Sequence, residues 1–279
     1  LESDDSVAED VHALLHSAAV FFGADVATAP PDLLTVCDEA SHDVEAELAR
    51  VDYEAAGCLN KIHLLRAMAI CCDAAICFAE RYAAEARRLA ATERDPVRQA
   101  ELIRIAEICH RVPAHPARTF HEALQSFYFV HLMLNLETNG YAIGPGRFDQ
   151  YLYPYYRADV EANRLTREEA FELLACLWIK LNELTVVKEG GTAKASTTYN
   201  DFQNLNLAGQ TADGRDATNE LSYLCLDVTS ALRLPQPQIS VLISEKTPDR
   251  FVLRACEVVS QGFGMPALFN DDEKVQALL

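Results

Sequence analysis

Three sets of residues have types and spacings able to do chemistry: the cysteines, two histidines on one helical run, and an Arg-x-Asp-Gln cluster. The chain holds nine cysteines, most of them inside apolar helical runs (Cys71, Cys72, Cys77, Cys109, Cys176, Cys225 and Cys256). An odd number of cysteines with no C-x-x-C pairing reads as free, buried thiols in a reducing cytoplasm rather than as a disulfide framework. The pattern offers no zinc site, because Cys109-His110 with His115 is too sparse a ligand set. His121 and His131 share a run that is apolar nearly all round. We expect His121 near the solvated start of that run and His131 as a hydrogen-bonded core histidine rather than a catalyst. Arg147, Asp149 and Gln150 follow a glycine- and proline-rich break. An Arg and an Asp two apart contribute little when exposed, so a buried structural pair is the role they suggest.

The elements that must position these residues change character along the chain. Ile62, Leu65, Ala69, Cys72, Ile76, Ala79, Ala83 and Ala86 recur at spacings of three and four, which defines one long amphipathic helix. Thr119 and Glu122 have the spacing of a capping box that opens the run from Phe120 to Leu136, expected as a buried central helix. Residues 140–146 break it with three glycines and Pro145. A second capping box, Thr166 with Glu169, starts a helix carrying Phe171, Leu174, Leu177, Trp178 and Leu181. Beyond it, 203–207 alternates at period two up to Gly209, and 238–243 is a second β-rich run. A helix over 219–232 lies between them, so strand, helix and strand predict one crossover of a parallel sheet. Thr247-Pro248 reads as an N-cap followed by proline at the first helical position, with the helix running through Cys256.

Composition narrows the function classes. Half of the 279 residues are hydrophobic, and 42 acidic against 24 basic residues give a formal charge of −18. Mean hydropathy is −0.03. An acidic chain without a basic patch argues against nucleic acid and anionic membrane as partners. The Arg81, Arg87, Arg88 and Arg94 run is interleaved with Glu80, Glu85 and Glu93, as on a solvated helix face. No apolar stretch is expected to reach the ~18 residues of a bilayer span. The acidic start, Leu1-Glu2-Ser3-Asp4-Asp5, has no apolar signal region and no initiator Met, so the chain is expected to begin within a longer protein.

A resemblance enters at Arg111. The runs Arg111-Val112-Pro113-Ala114-His115-Pro116-Ala117-Arg118-Thr119-Phe120, Glu137-Thr138-Asn139-Gly140 and Pro145-Gly146-Arg147-Phe148-Asp149-Gln150-Tyr151-Leu152-Tyr153-Pro154-Tyr155-Tyr156 resemble the glycyl-radical enzyme superfamily. So do Tyr199-Asn200-Asp201-Phe202-Gln203-Asn204 and Gly262-Phe263-Gly264-Met265-Pro266-Ala267 with Phe269-Asn270-Asp271. The likeness is to the diol, choline and hydroxyproline lyase branch, and it covers about four-fifths of the chain. It implies an α/β fold: helices over 1–136 packed around the first portion of a ten-stranded α/β barrel, with loop motifs and the first strand-helix-strand crossover over 137–279. It also implies a Gly-Cys-x-Glu loop that forms a thiyl radical and an Arg-Val-x-Gly-Tyr loop that stores a glycyl radical. Neither pattern occurs here, since Gly57-Cys58 continues Leu59-Asn60 and Gly140-Tyr141 lacks the Arg-Val. The catalytic cysteine and radical glycine are therefore expected outside this chain, with no cofactor or metal bound by it.

Site residues follow from the same resemblance. Positions matching Ser196, Asp201 and Phe202 contact substrate in hydroxyproline-dehydratase-like relatives. A carboxylate at Asp201 would hold an ammonium or hydroxyl by a charge-assisted bond, although Asp and Ser also cap loops. Tyr141-Ala142 replaces the His-Ser or Trp-Asp pair of relatives, leaving the Tyr141 hydroxyl as the polar group. Thr28, in Ala27-Thr28-Ala29-Pro30-Pro31-Asp32, stands where relatives have a substrate-binding histidine.

The reading is a piece of a cytoplasmic glycyl-radical lyase that eliminates water or a comparable group from a small hydroxylated or amino-bearing metabolite, and that is inactive by itself. Acyl transfer of the formate acetyltransferase kind, arylacetate decarboxylation, and a non-catalytic partner chain are the alternatives. A radical S-adenosylmethionine activating enzyme and a homodimer of the full-length protein are the implied partners.

Overall fold

The computed structural model describes residues 44–52, 57–138, 142–185, 189–195 and 202–278. They fall into two compact units that divide between Val130 and His131. The fold is a helix-rich α/β arrangement with a small parallel sheet.

The first unit is helical. Helix α1 (Cys58–Ala90) and α2 (Pro96–Arg111) pack along each other. Of the predicted stripe α1 buries Ile62, Leu65, Ala79, Ala83 and Ala86, with Ala75 and Ala90 added, while Ala69, Cys72 and Ile76 are half-buried. Alanines along this face let neighbouring helices approach closely, and the edge between Phe78 and Phe129 closes the gap. Helix α2 begins with Pro96 in its first turn, where the missing N–H is no loss, and the Asp95 carboxylate accepts from Val97 N. A turn over 112–119 then leads to α3 (Phe120–Thr138). Its anchor is the buried Glu122 carboxylate, which accepts from the Arg118 backbone N–H at 2.6 Å and pairs with the Arg118 and Arg111 guanidinium groups.

Two expectations need correction in this unit. An 18-residue window of α1 has mean hydropathy 1.7 with few charges, so the helix is long and apolar enough to cross a membrane by length and composition. Alanine and cysteine between the isoleucines raise the average where no unbroken aliphatic run exists, and 22% of that window is buried. Thr119 and Glu122 form half a capping box. The Thr119 hydroxyl accepts from Glu122 N, but Glu122 reaches past Thr119 to the Arg118 N–H.

The second unit carries the sheet. After α3 come α4 (Phe148–Glu161), α5 (Arg167–Glu183) and the short α6 (Gly190–Ala195). The order then runs β1 (Asn204–Ala208), α7 (Glu220–Leu232), β2 (Gln238–Ile243), α8 (Asp249–Val259), β3 (Ala267–Asn270) and α9 (Asp271–Leu278). The strands are parallel in the order β1-β2-β3, with Leu205 opposite Ile239 and Val241 opposite Leu268. The predicted crossover is present, and most residues of β1 and β2 are buried while the four residues of β3 are exposed. Thr166 and Glu169 complete both halves of their capping box. Asn219 caps α7 by accepting from Leu221 N and Ser222 N. Trp178 donates from Nε1 to Thr229 Oγ1 at 3.0 Å and meets Phe148 edge-on, which ties α4, α5 and α7 into one core.

At the start of α8 the proline is the N-cap residue rather than the first helical one, and Thr247 Oγ1 accepts from Ser244 N instead of capping. Only Cys109 and Cys225 among the described cysteines are buried, whereas Cys71, Cys77, Cys176 and Cys256 are exposed. Helical periodicity had placed those thiols on apolar runs without fixing which face each occupies.

Candidate functional site

Of the five sequence-predicted site residues, Thr28, Tyr141, Ser196 and Asp201 lie outside the described residues. Phe202 is described. It stands at the entry of β1 in a left-handed conformation, φ 55°, with 36% of its surface exposed. A bulky side chain rarely adopts that backbone, so the surroundings must hold it there. Its carbonyl accepts from Asn204 N at 2.9 Å, which folds the entry back on itself.

The chain leaving the Tyr141 segment runs beside this entry. Gly146 bridges Leu205 in parallel, and Asn206 N donates to the Gly146 carbonyl at 2.8 Å. A Cβ on Gly144 would lie 2.5 Å from the Asn204 carbonyl oxygen, so only glycine permits the backbones to approach this closely. The segments that follow Tyr141 and Asp201 in sequence are thus brought side by side.

Behind Phe202 lies a neutral network. Gln203, fully buried, donates from Nε2 to the Leu181 carbonyl at 2.9 Å and to Gln236 Oε1 at 2.8 Å. A carbonyl can only accept, so Leu181 fixes the orientation of the Gln203 amide. Gln203 Oε1 then faces His131 Nε2 at 2.8 Å and must be the acceptor. His131 is a buried, hydrogen-bonded core histidine, as expected. Burial holds its pKa below the ordinary value, against the smaller opposing effect of Gln203, so the ring is neutral and carries its proton on Nε2. His121, expected near solvent, is instead half-buried, with its pKa also lowered by burial and then by Arg104.

The exit of β1 is held by charge. Asp149, fully buried at the start of α4, accepts on Oδ2 from Ala208 N at 2.8 Å and from the Ser222 hydroxyl. Its Oδ1 accepts from Gln150 Nε2 at 2.9 Å. Arg147 Nη2 donates to the carbonyl of the same Ala208 at 2.9 Å. Arg147 and Asp149 therefore grip both polar groups of one backbone residue, which sits at φ 62°. Burial pushes the Asp149 carboxyl up to about 6, opposed by Ser222, the Ala208 amide, Gln150 and Arg147. The partners are structural, as expected of the cluster, but Arg147 and Asp149 meet on Ala208 rather than pairing with each other. Next along the chain, Gly209 has φ 84° and leaves room for Asp271, whose Oδ2 accepts from Gln210 N at 2.8 Å.

Gln236 and Ser222 were not singled out in the sequence. Gln236 had one usable signal, a polar residue between two prolines, in Pro235-Gln236-Pro237 just ahead of β2. No group of three or more metal-ligating side chains occurs among the described residues.

Comparison with known proteins adds the family context. A family model described as pyruvate formate lyase-like matches residues 37–279. The trans-4-hydroxy-L-proline dehydratase of Clostridioides difficile is 45% identical over 240 residues, which are 85% of this chain and 30% of that protein. The isethionate sulfite-lyase of Bilophila wadsworthia is 40% identical over 219 residues, 77% of this chain and 26% of that one. The crystal structure of the hydroxyproline dehydratase from C. difficile with trans-4-hydroxy-L-proline bound superposes with TM-score 0.84 at 43% identity. That match covers 87% of this chain and 31% of the other. The chain spans less than a third of the length of these relatives.

Proposed function

The chain belongs to the pyruvate formate lyase-like family, on the diol and hydroxyproline lyase branch of the glycyl-radical enzymes, and from that premise we propose that it forms part of a dehydratase-like lyase for a small hydroxylated or amino-bearing metabolite. The single observation that carries the reading is the 45% identity to a hydroxyproline dehydratase over 85% of this chain. In the proposal the sheet β1-β2-β3 is the first portion of a ten-stranded barrel, and the cysteine and glycine that carry the radicals lie outside these residues.

The proposed reaction begins when a thiyl radical takes a hydrogen atom from substrate carbon, giving thiol and a carbon radical. Loss of the neighbouring hydroxyl as water then requires a proton from a positioned polar group, and the product radical left behind takes a hydrogen atom back from the thiol, which restores the thiyl. This chain supplies walls and ligands for that step. Asp201 holds a substrate ammonium or hydroxyl by a charge-assisted bond, with Ser196 and Tyr141 offering hydroxyls. Phe202 excludes water from the radical carbon. Thr28 and Ala142, where relatives carry larger polar ligands, leave room and fewer hydrogen bonds, so the substrate differs from those of the relatives in shape or polarity.

The test is an anoxic assay of the full-length protein that contains this chain, after treatment with a radical S-adenosylmethionine activating enzyme. A glycyl-radical signal by electron paramagnetic resonance, together with water elimination from a diol, hydroxyproline or choline-like panel, is expected for wild type. Asp201→Asn should raise KM for amine-bearing substrates. Carbon–carbon cleavage products without elimination would favour the acyltransferase or decarboxylase chemistry instead.

A further inference from the structure

The sole described candidate for a substrate wall, Phe202, holds an unfavourable backbone conformation that the residues around it must maintain. The next residue, Gln203, is the point of attachment. Its side chain is bound at three places, to His131, Leu181 and Gln236, and its carbonyl accepts from Gln238 N at 3.1 Å. Its amide N–H points to Gln236 Oε1 at 3.4 Å. Gln203, His131 and Gln236 are all buried, so none of these bonds can be exchanged for water. Of the partners, Leu181 contributes a helix carbonyl and Gln236 lies on the chain entering β2. His131 alone reaches back to α3, the helix that leads into the Tyr141 segment.

We propose that His131 is a positioning residue: its Nε2–H holds Gln203, and thereby sets the backbone on which Phe202 is presented to substrate at the entry of β1. The proposal rests on the reading that Phe202 faces substrate, but its geometric part stands without it. The effect of His131 passes through the amide of Gln203, whose Oε1 accepts from no other donor among the described residues and whose Nε2 protons are already committed.

Three readouts test the proposal. Imidazole 15N shifts of the wild-type chain at neutral pH should report the neutral Nε2–H tautomer of His131. The Nδ1–H tautomer, or an imidazolium, would overturn the assignment. In the chain labelled with 4-fluorophenylalanine, the Phe202 line is identified by Phe202→Leu. That line should move or broaden in His131→Phe and return in His131→Gln, whose amide nitrogen reaches about the same place as Nε2. A Phe202 line unchanged in His131→Phe sinks the proposal. Should His131→Phe not fold, Gln236→Met breaks the same network from the other side and is read in the same way.

In the activated full-length protein, His131→Phe should raise KM roughly tenfold, the size of one lost hydrogen bond, with a smaller fall in kcat. His131→Gln should recover most of the loss. A kcat loss with KM unmoved counts against positioning. If wild type turns over none of the panel, the functional reading fails by itself, and the tautomer and the 19F line still decide the positioning.

Discussion

At its entry β1 is held by neutral amides and an imidazole, and at its exit by a carboxylate and a guanidinium. Gln203 meets His131, Gln236 and Leu181 at one end. Asp149 meets Ala208, Ser222 and Gln150 at the other, with Arg147 on the same Ala208. Both ends are buried and both support a non-glycine residue at positive φ, Phe202 and Ala208. The contrast lies in what each tolerates. A neutral network carries no charge to desolvate, so it holds its geometry as long as every donor has an acceptor. A buried carboxylate binds its donors more strongly, so removing those donors is correspondingly costly, although burial itself disfavours its charge. The entry, next to the candidate substrate wall, has the arrangement that leaves the local field undisturbed.

The largest expected effect tests the charged end. Asp149→Ala strips the acceptor from Ala208 N and Ser222 and leaves the Arg147 charge without its counterpart nearby, a loss of roughly 3–5 kcal/mol by denaturant unfolding. Asp149→Asn keeps an acceptor and should lose much less. Equal losses in the two variants would show that a neutral acceptor restores nothing and that the charge carries the whole effect, which would sharpen the contrast between the ends.

The pH dependence separates the ends by sign. The Asp149 carboxyl is raised from 3.8 to about 6 in the folded state. Its contribution is therefore fully present below pH 3.8 and is lost as pH rises through 6. That change is on the order of 3 kcal/mol, visible as the difference between wild type and Asp149→Asn. His131 has a lowered folded pKa, so its contribution is present above its ordinary value of 6.5 and is lost as pH falls through the folded value. Opposite slopes for Asp149→Asn and His131→Gln difference curves are the expected outcome, and parallel slopes would break the comparison.

Breaking the neutral end should cost less than breaking the charged one. Gln203→Met takes the amide acceptor from His131 Nε2–H and leaves the Leu181 carbonyl and Gln236 Oε1 with only their backbone donors, Leu184 N and residue 203 N. Roughly 2–3 kcal/mol is expected by thermal or urea unfolding. Gly144→Ala should destabilise by about 1–3 kcal/mol, because the added methyl meets the backbone oxygen of Asn204 rather than a movable side chain. The smallest effect, about 1 kcal/mol, is expected for Thr166→Ala, which removes one cap far from both ends.

Much of the scaffold was legible in the sequence. The buried stripe of α1, the Thr166 capping box, the Asn219 start of α7 and the β1-α7-β2 crossover all match their predicted places. The misses are also local in origin. Thr119 and Glu122 had the spacing of a reciprocal cap, yet Glu122 found a better arrangement of donors on Arg118 and Arg111. Thr247 had the spacing of a cap and was taken by Ser244. In each case a side chain had more than one partner within reach, and spacing alone does not rank them.

Periodicity and capping are decided among residues three or four apart, so the sequence by itself determined α1, α3, α5, α7 and α8 and the parallel crossover from β1 to β2, but not α2, α4, α6, α9 or β3. It also determined the motifs that place the chain in its family. Only the tertiary structure decided what grips β1. His131 meets Gln203 across 72 residues, Asp149 meets Ala208 across 59, and Gln203 meets Gln236 across 33. Polar side chains of this kind have no periodic signature, because each satisfies a single buried partner rather than a repeating face. Their pairing emerges when the sheet and its covering helices exclude water and leave each donor one acceptor within reach.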